Sequence, residues 1–554
     1  MAKGYRRVDR DQAFLLPPDM REWLPADDPV WLVIGAVEQM DTSVFHARRR
    51  TGGAGAAGYD PDMLVTVLVW AYAHGVASSR DMERLCRTDV AFRVICGGNL
   101  PDHVTFARFR ADFPEAAGDF FTGVLKLCAR LGMGRLGVVA LDGMKIAASA
   151  SKSANRTEEG LAKLAEEAVA AHAAADAAED ALFGAGVRGD EVPEDAWSPR
   201  RRDGRIATAL AGLRAEREAA QAVEAAKAAE FRQRQRSGQR TGPAPVQAAV
   251  ELAEENVARL KAARQAAAED WQQRNAAKLA ATGRPLRGTP PVPPGRHCRV
   301  REAEAKLEAA RARAAAAGRR AAEREAARKG PGRVRNITDP DSRLMPVRGG
   351  GFIQGYNAQN MTSEDGLIIA TELTDDQVDC GWFEPMPGQA QDAAALIVAH
   401  RPAGAAPEPA GQDHDPGPGG IGLALADAGY CSEANLTCPG PDRLIAVGKR
   451  HTLEKAARDP DSPGPERGGP ATRAMRERLK TPDGIAAYRQ RGHIAETPHG
   501  HIKHNMGLRQ LSMRGKRKAS AEWAFACAVH NLFKALTTGH LTSQALAALA
   551  APAA

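Results

Sequence analysis

Apolar positions recur at helical spacing through the first 130 residues. DMLVTVLVWAYAHG opens at Asp60 or Pro61 and is ended by the glycine at 75. Ser78 then caps a shorter helix with Asp81 three residues on, the reciprocal capping pattern. A third helix, DVAFRVICGG, stops at Gly97. In NLPDHVTFARFRADF, Thr105 is placed to cap a helix carrying Arg108 and Arg110 beside Phe106 and Phe109. Short helices joined by tight turns, the last presenting arginines, fit either a helix-turn-helix that binds DNA or a plain bundle.

The texture changes near residue 133. Leu136 to Asp142 reads LGVVALD, a short buried strand ending on an acid followed by glycine. From Glu158 to about Arg328 the chain is dominated by Ala, Glu, Arg and Gln and broken by Pro/Gly-rich pieces at 184–204, 237–245 and 283–296. Helical blocks remain at about 158–182, 204–236, 246–282 and 299–328. Without a wide apolar stripe they would pair as thin antiparallel coiled coils or stay partly mobile, which marks a helical insertion. Strand character returns at GFIQGYNAQNM (351–361) and GLIIATEL (366–373), joined by a polar SED turn as a hairpin. A helix follows at about 380–400, then a proline-rich linker at 402–420, a strand at 421–427 ending on Asp427, a helix capped near Ser432, a strand at 443–447, and a helical remainder. The expected fold is α/β. A helical domain over 1–130 precedes a sheet domain built from 133–157 and 330–550, interrupted by the insertion at 158–329.

Composition narrows this picture only modestly. With 554 residues the chain should form two to four domains, and 44% hydrophobic content allows a sizeable core. No run of eighteen apolar residues spans a membrane, and MAKGYRRVDRDQAF lacks the apolar centre of a signal peptide. The eight cysteines form no CxxC pair, so they read as reduced cytosolic thiols. A net charge of +7 is compatible with a polyanion partner. Its basic residues cluster at Arg6 and Arg7, at Arg48 to Arg50, at Arg200 to Arg202, and in RQLSMRGKRK (509–518).

Candidate chemistry follows from the order of elements. Outside the insertion, one strand ends at Asp142, another at Asp427, and a helical acid, Glu496, comes after the last strand. Acids at the ends of adjacent strands, with a third on a flanking helix, converge on hard cations such as Mg²⁺ or Mn²⁺. Two such ions would serve phosphodiester displacement. Glu496 lies in YRQRGHIAETPHGHIK, and Lys503, seven residues on, should share its helix face. Pro498 fits a helix's first turn, placing Glu496 at or just before a helix start.

The spacing of Tyr488, Arg491, Glu496 and Lys503 resembles the Y-R-E-K signature of insertion-sequence transposases with a DDE triad, in the IS4-like superfamily and closest to the IS1182 type. The likeness extends to DVAFRVICGGNLPDHVTFARFR, LDGMKIAASASKSANRT, TDPDSRLM, GGFIQGYNAQN, LADAGYCSEANL and AEWAFACAVHNLFKAL. It implies an RNase H-like catalytic domain, a mixed five-stranded sheet with flanking helices, interrupted between the first two acids. It also implies Asp142, Asp427 and Glu496 as the catalytic, metal-holding triad. Tyr488, Arg491 and Lys503 would then handle transposon-end phosphates or a displaced base. Double-stranded DNA, both terminal inverted repeats and target, would be the partner; paired-end chemistry favours a homodimer, working on the nucleoid in the bacterial cytoplasm.

Other residues admit plainer readings. His493, His499, His501 and His504 match no zinc spacing and fit a basic patch near phosphates. Lys145 and Lys152 either touch phosphates or solvate a loop. Trp523 and Phe525 read as core, and Asp339 and Asp341 as turn formers. A catalytically inactive or domesticated DNA-binding relative, and a scaffold built on the insertion, are the alternative functions; the intact acids count against the first, and the second leaves those acids unexplained.

Overall fold

A computed structural model describes residues 19–47, 58–183, 202–237, 239, 245–326, 333–347, 349–402, 420–448 and 468–550. The basic clusters at Arg6 and Arg7 and at Arg48 to Arg50, with Arg200 and Arg201, lie outside the described residues. The chain divides into two compact units, Met1–Asn155 with Asn336–Ala554, and Arg156–Arg335.

The first unit begins with helices α1 (Pro29–Glu38), α2 (Ser43–His46), α3 (Pro61–Ala73), α4 (Ser79–Thr88), α5 (Val90–Ile95), α6 (His103–Ala111) and α7 (Ala117–Arg130). Local chemistry sets their starts. Asp60 accepts the Asp62 N–H ahead of Pro61, and Ser78 accepts the Asp81 N–H. Thr105 does not cap α6; Asp102 does, accepting the Thr105 N–H at 2.7 Å, so Thr105 lies inside the helix. Helix α3 is buried on nearly every side from Leu64 to Tyr72, which makes it a core helix.

Strands β1 (Val138–Ala147), β4 (Arg343–Pro346), β5 (Phe352–Ser363), β6 (Ile368–Thr374), β7 (Leu423–Ala426) and β8 (Asp442–Ile445) form one mixed sheet; β2 (Asn155–Thr157) and β3 (Val334–Asn336) pair separately. The order is β4-β5-β1-β7-β8, with β6 also on β5. Strands β4 and β6 occupy successive stretches of one β5 edge, so the sheet has six strands across five positions where five strands were expected. Strand β5 runs antiparallel to β1, while β7 and β8 continue parallel to it. Helices α12 (Pro385–His400), α13 (Glu433–Thr437), α14 (Pro470–Arg478), α15 (Pro482–Gly500), α16 (Lys516–Thr537) and α17 (Ser543–Ala550) complete the unit, with α8 to α11 in the second unit.

The two faces of β1 explain the packing. Val138 and Ala140 join Leu423, Leu425 and Leu444 against Met475 of α14, Leu479 just after it, and Ile494 and Ala495 of α15. Val139 and Leu141 face the larger core, which holds α3, α7, α12 and α16. The N-terminal helices are therefore not a separate body. Phe120 of α7 stacks on Phe525 of α16 at 5.2 Å, and Tyr72 of α3 meets the same ring edge-on at 5.2 Å. Trp523 is buried beside them and donates to Thr371 Oγ1 at 2.8 Å.

Glu522 and His530 are two of the buried polar residues on α16. Glu522 accepts from Tyr72 O–H at 2.9 Å and from the Ser512 and Met513 N–H groups, each at 2.9 Å. His530 faces His501 at 3.0 Å and the Gly366 carbonyl at 3.0 Å, and burial pushes its pKa down to about 3. Between the ordinary histidine value of about 6.5 and that folded value, the unfolded chain binds the proton and the folded chain does not. Stability is therefore expected to fall as pH drops below about 6.5 and to keep falling toward the folded pKa. Melting curves from pH 7.5 to 5 should show a steeper loss for the native chain than for His530→Asn; parallel curves would refute this.

The second unit is helical: α8 (Glu158–Phe183), α9 (Arg202–Arg236), α10 (Val246–Thr282) and α11 (Cys298–Ala326). Lys261 pairs with Glu304 at 2.7 Å and Glu254 with Arg311 at 2.7 Å, so α10 and α11 run antiparallel. Exposed ion pairs of this kind set register more than stability.

Candidate active site

Asp142 does not end its strand. Strand β1 continues to Ala147 along β5, but its parallel pairing with β7 stops at Leu141 and Ala426. Asp142 and Asp427 are the next residues on each strand, at the point where the two part. Their face follows from alternation: Val138, Ala140 and Asp142 share one side of β1, as Leu423, Leu425 and Asp427 do along β7. That side is the one covered by α15.

Helix α15 brings the third acid and a cation. Arg491 Nη2 donates to Asp142 Oδ1 at 2.8 Å and lies 3.9 Å from Asp427 Oδ2, while Nη1 is 3.7 Å from Glu496 Oε1. One guanidinium therefore touches all three acids. The Arg491 side chain is 13% exposed, Asp142 16%, Asp427 34% and Glu496 63%, so the cluster opens to solvent at Glu496. The three carboxylates are spread around Arg491, while among the described residues the ligand atoms of His46, Asp60 and Asp62 lie within 4.8 Å of one another. Tyr488 donates to the Ala426 carbonyl at 3.3 Å, one residue before Asp427.

Pro498 is not at a helix start. It lies near the end of α15, buried, and the backbone passes straight into a π turn at His501–Asn505. Proline has no N–H to donate to the carbonyl four residues back, which weakens the α ladder there. The wider turn that follows alters the helical phase, so Lys503 does not pair with Glu496 and has no ion-pair partner among the described residues. Glu496 is thus held mid-helix.

A family model described as a transposase DDE domain matches residues 467–536, which contain α15 and the whole Tyr488–Lys503 constellation. A second, described as a transposase domain (DUF772), matches residues 18–112, the N-terminal helices. The two matches together indicate an insertion-sequence DDE transposase. No curated protein and no solved structure matches it. Transposases act on DNA, and those with a DDE domain generally use divalent metal ions.

The electrostatics of this transposase separate its two strand acids. Burial alone would push the Asp142 carboxyl up, but the His499 ring, 3.6 Å away, and Arg491 outweigh it and hold that carboxyl below the ordinary range. Burial wins at Asp427, joined by the charges of Asp142 and Asp379, and its pKa is raised. The histidines serve different partners: His499 is buried against Asp142, His501 faces His530, and His493 and His504 are exposed.

Two glycines beside these acids leave no room for a side chain. A Cβ on Gly143 would stand 2.6 Å from both Asp379 Oδ1 and Gln359 Nε2, and one on Gly429 would stand 2.9 Å from Asp427 Oδ1. The donor set, three carboxylates and a cradle that a methyl group would fill, fits a hard divalent ion.

Several expected DNA contacts are otherwise engaged. Arg110 is turned inward: its guanidinium is buried, donates to the Ala77 carbonyl at 2.7 Å and to Ser512, and lies 3.4 Å from Glu522. A cation committed to a buried carboxylate is not on a DNA-binding surface. Arg108, on the same helix, is exposed. Lys145 pairs with Asp379 at 3.1 Å. In RQLSMRGKRK, Lys516 pairs with Asp375, Arg517 with Glu115, and Arg514 donates to the Ser149 carbonyl at 3.0 Å. The residue beside this cluster that sequence reading did not single out is Asp379. It stands in a run of acids, TDDQVDC, with no spacing that distinguishes it.

Proposed function

We propose that this transposase cuts DNA at the ends of its insertion sequence and joins the freed 3′ ends to target DNA, with Asp142, Asp427 and Glu496 holding one or two Mg²⁺ or Mn²⁺ ions. The observation that carries this reading is the convergence of all three acids on the Arg491 guanidinium, from β1, from the end of β7 and from α15. The strand order, with β5 and β6 forming a hairpin beside β1 and with β7 and β8 parallel to it, supports an RNase H-like domain of the IS4-like superfamily and IS1182 type.

Bound among these acids, a divalent ion supplies activation of an attacking water or hydroxyl and neutralises the leaving oxygen. The protein's own part is positioning. Arg491 competes with a cation for the same oxygens, and a DNA phosphate offers its fork an alternative bidentate partner. Tyr488 fixes the end of β7 behind Asp427. Lys503 and the exposed Arg108 supply backbone contacts that orient the duplex without reading its sequence. Two copies, one on each end, would form a homodimer on the DNA of the bacterial nucleoid.

Inverted repeats in the DNA flanking the gene supply the substrate. Full-length chain with Mg²⁺ is expected to nick a duplex bearing such a repeat and leave a 3′-hydroxyl at its end. Specific binding without cutting, in Mg²⁺ and in Mn²⁺, would instead identify an inactive DNA-binding relative.

A further inference from the structure

On the face of β1 away from α15, Asp379 gathers a second polar group. Its Oδ1 accepts from Asn357 Nδ2 at 2.7 Å, from Gln359 Nε2 at 2.9 Å and from Lys145 Nζ at 3.1 Å. Register explains the convergence: Gly143 pairs with Gln359 and Lys145 with Asn357, so all four residues share one face of the β1–β5 ladder. Gln359 Oε1 in turn accepts the Tyr430 hydroxyl, which is fully buried. Tyr430 closes the turn Asp427–Ala428–Gly429–Tyr430, whose other fastening is the Gly429 N–H donated to Asp427 Oδ1 at 2.8 Å. The remaining oxygen, Asp379 Oδ2, accepts no hydrogen bond among the described residues. It lies 3.6 Å from the point where a Gly429 Cβ would stand, and that point is 2.9 Å from Asp427 Oδ1.

Resting on the function proposed above, we propose that Asp379 is a further positioning residue of the cutting site. Through Gln359 and Tyr430 it clamps the turn that carries Asp427, and its free oxygen faces the same space as Asp427, adding negative charge where a cation enters. Lys145 is its counter-ion on the protein side and, with Asn357 and Gln359, holds the carboxylate in place. The acids thus come from both faces of the sheet, with Asp427 where the two groups meet.

The test is Mn²⁺ binding to the full chain, followed by calorimetry and by the electron paramagnetic resonance of the ion. Groups that hold a metal ligand in place typically cost about 10–100-fold in metal affinity when removed. Asp379→Asn keeps the size of the side chain and is expected to weaken Mn²⁺ binding by about tenfold or more. Gly429→Ala fills the shared space without altering charge and should weaken it similarly. Lys145→Met, which removes only the counter-ion, should bind Mn²⁺ at least as tightly as the native chain. Asp142→Asn and Asp427→Asn serve as references. If they lose Mn²⁺ while Asp379→Asn does not, the role assigned to Asp379 is wrong and the triad stands. If none of the acid variants loses Mn²⁺, the triad reading itself has failed. Equal losses in Lys145→Met and Asp379→Asn would reduce Asp379 to a partner for Lys145 and overturn the proposal.

Discussion

Alanine at Asp142, Asp427 or Glu496 is expected to lower metal-dependent cutting of the element's ends by about 10³-fold or more, because one group aimed at developing charge is already worth about 10²–10³. End binding measured in a gel shift should stay nearly intact. Melting temperatures should diverge, since the acids sit in different surroundings. Asp142 is buried against Arg491, and its lowered pKa means that folding favours its charged form. That contribution is present above the ordinary carboxylate pKa and is lost as pH falls through the folded value. Asp142→Ala should therefore melt lower than the native chain at neutral pH. Asp427 has the opposite sign: its pKa is raised, so its charge opposes folding at neutral pH, and Asp427→Asn should melt higher while cutting no DNA. Glu496 is largely exposed, and Glu496→Ala should leave the melt unchanged. Cutting at the native rate by all three variants would sink the assignment.

The second large effect concerns folding. Glu522 is buried with Tyr72, Arg110, Ser512 and Met513 as donors, joining α3 and α6 to α16. Removing one partner of such a pair leaves the other charge buried alone, at a cost of about 3–5 kcal/mol. Glu522→Ala should lose that much in denaturant unfolding, and Arg110→Ala a comparable amount. Arg108→Ala, on the same helix but exposed, should keep native stability and weaken DNA binding with a smaller salt slope. If Arg110→Ala folds normally and loses DNA affinity, its inward placement does not describe its role.

What was legible in the sequence was mainly what depends on local pattern. The Ala-rich block expected at 158–182 is helical over Glu158–Phe183, and the hairpin expected at 351–373 spans Phe352 to Thr374. Asp142, Asp427 and Glu496, which lie together around Arg491, could be singled out because strand alternation and the Tyr488–Lys503 spacing are both short-range signals. Of three misreadings, two have tertiary context as their source. The strand through Asp142 runs on because β5 continues to pair with it after β7 stops. Pro498 is tolerated inside a helix because a π turn follows directly. Arg110 and Arg108 look alike in sequence, and only the position of Glu522, far along the chain, separates buried from exposed. Asp379 was missed for the same reason, since its partners Lys145, Asn357 and Gln359 assemble only when β1 and β5 align.

Where the first unit is interrupted, its two cut ends are close neighbours. Asn336 Nδ2 donates to Asn155 Oδ1 at 3.3 Å and to the Ser151 carbonyl at 2.7 Å, and the Ile337 N–H donates to the Ala154 carbonyl at 3.1 Å. The central pairing of β1 with β5 must form across everything between those asparagines. The entropy of closing a loop grows only slowly, by about 0.6 kcal/mol for each doubling of its length. A compact segment that returns its ends together reduces that search further. The cost of assembling the sheet therefore depends only weakly on the length of the insertion, so the helical segment can lengthen or shorten while Asp142 and Asp427 stay neighbours.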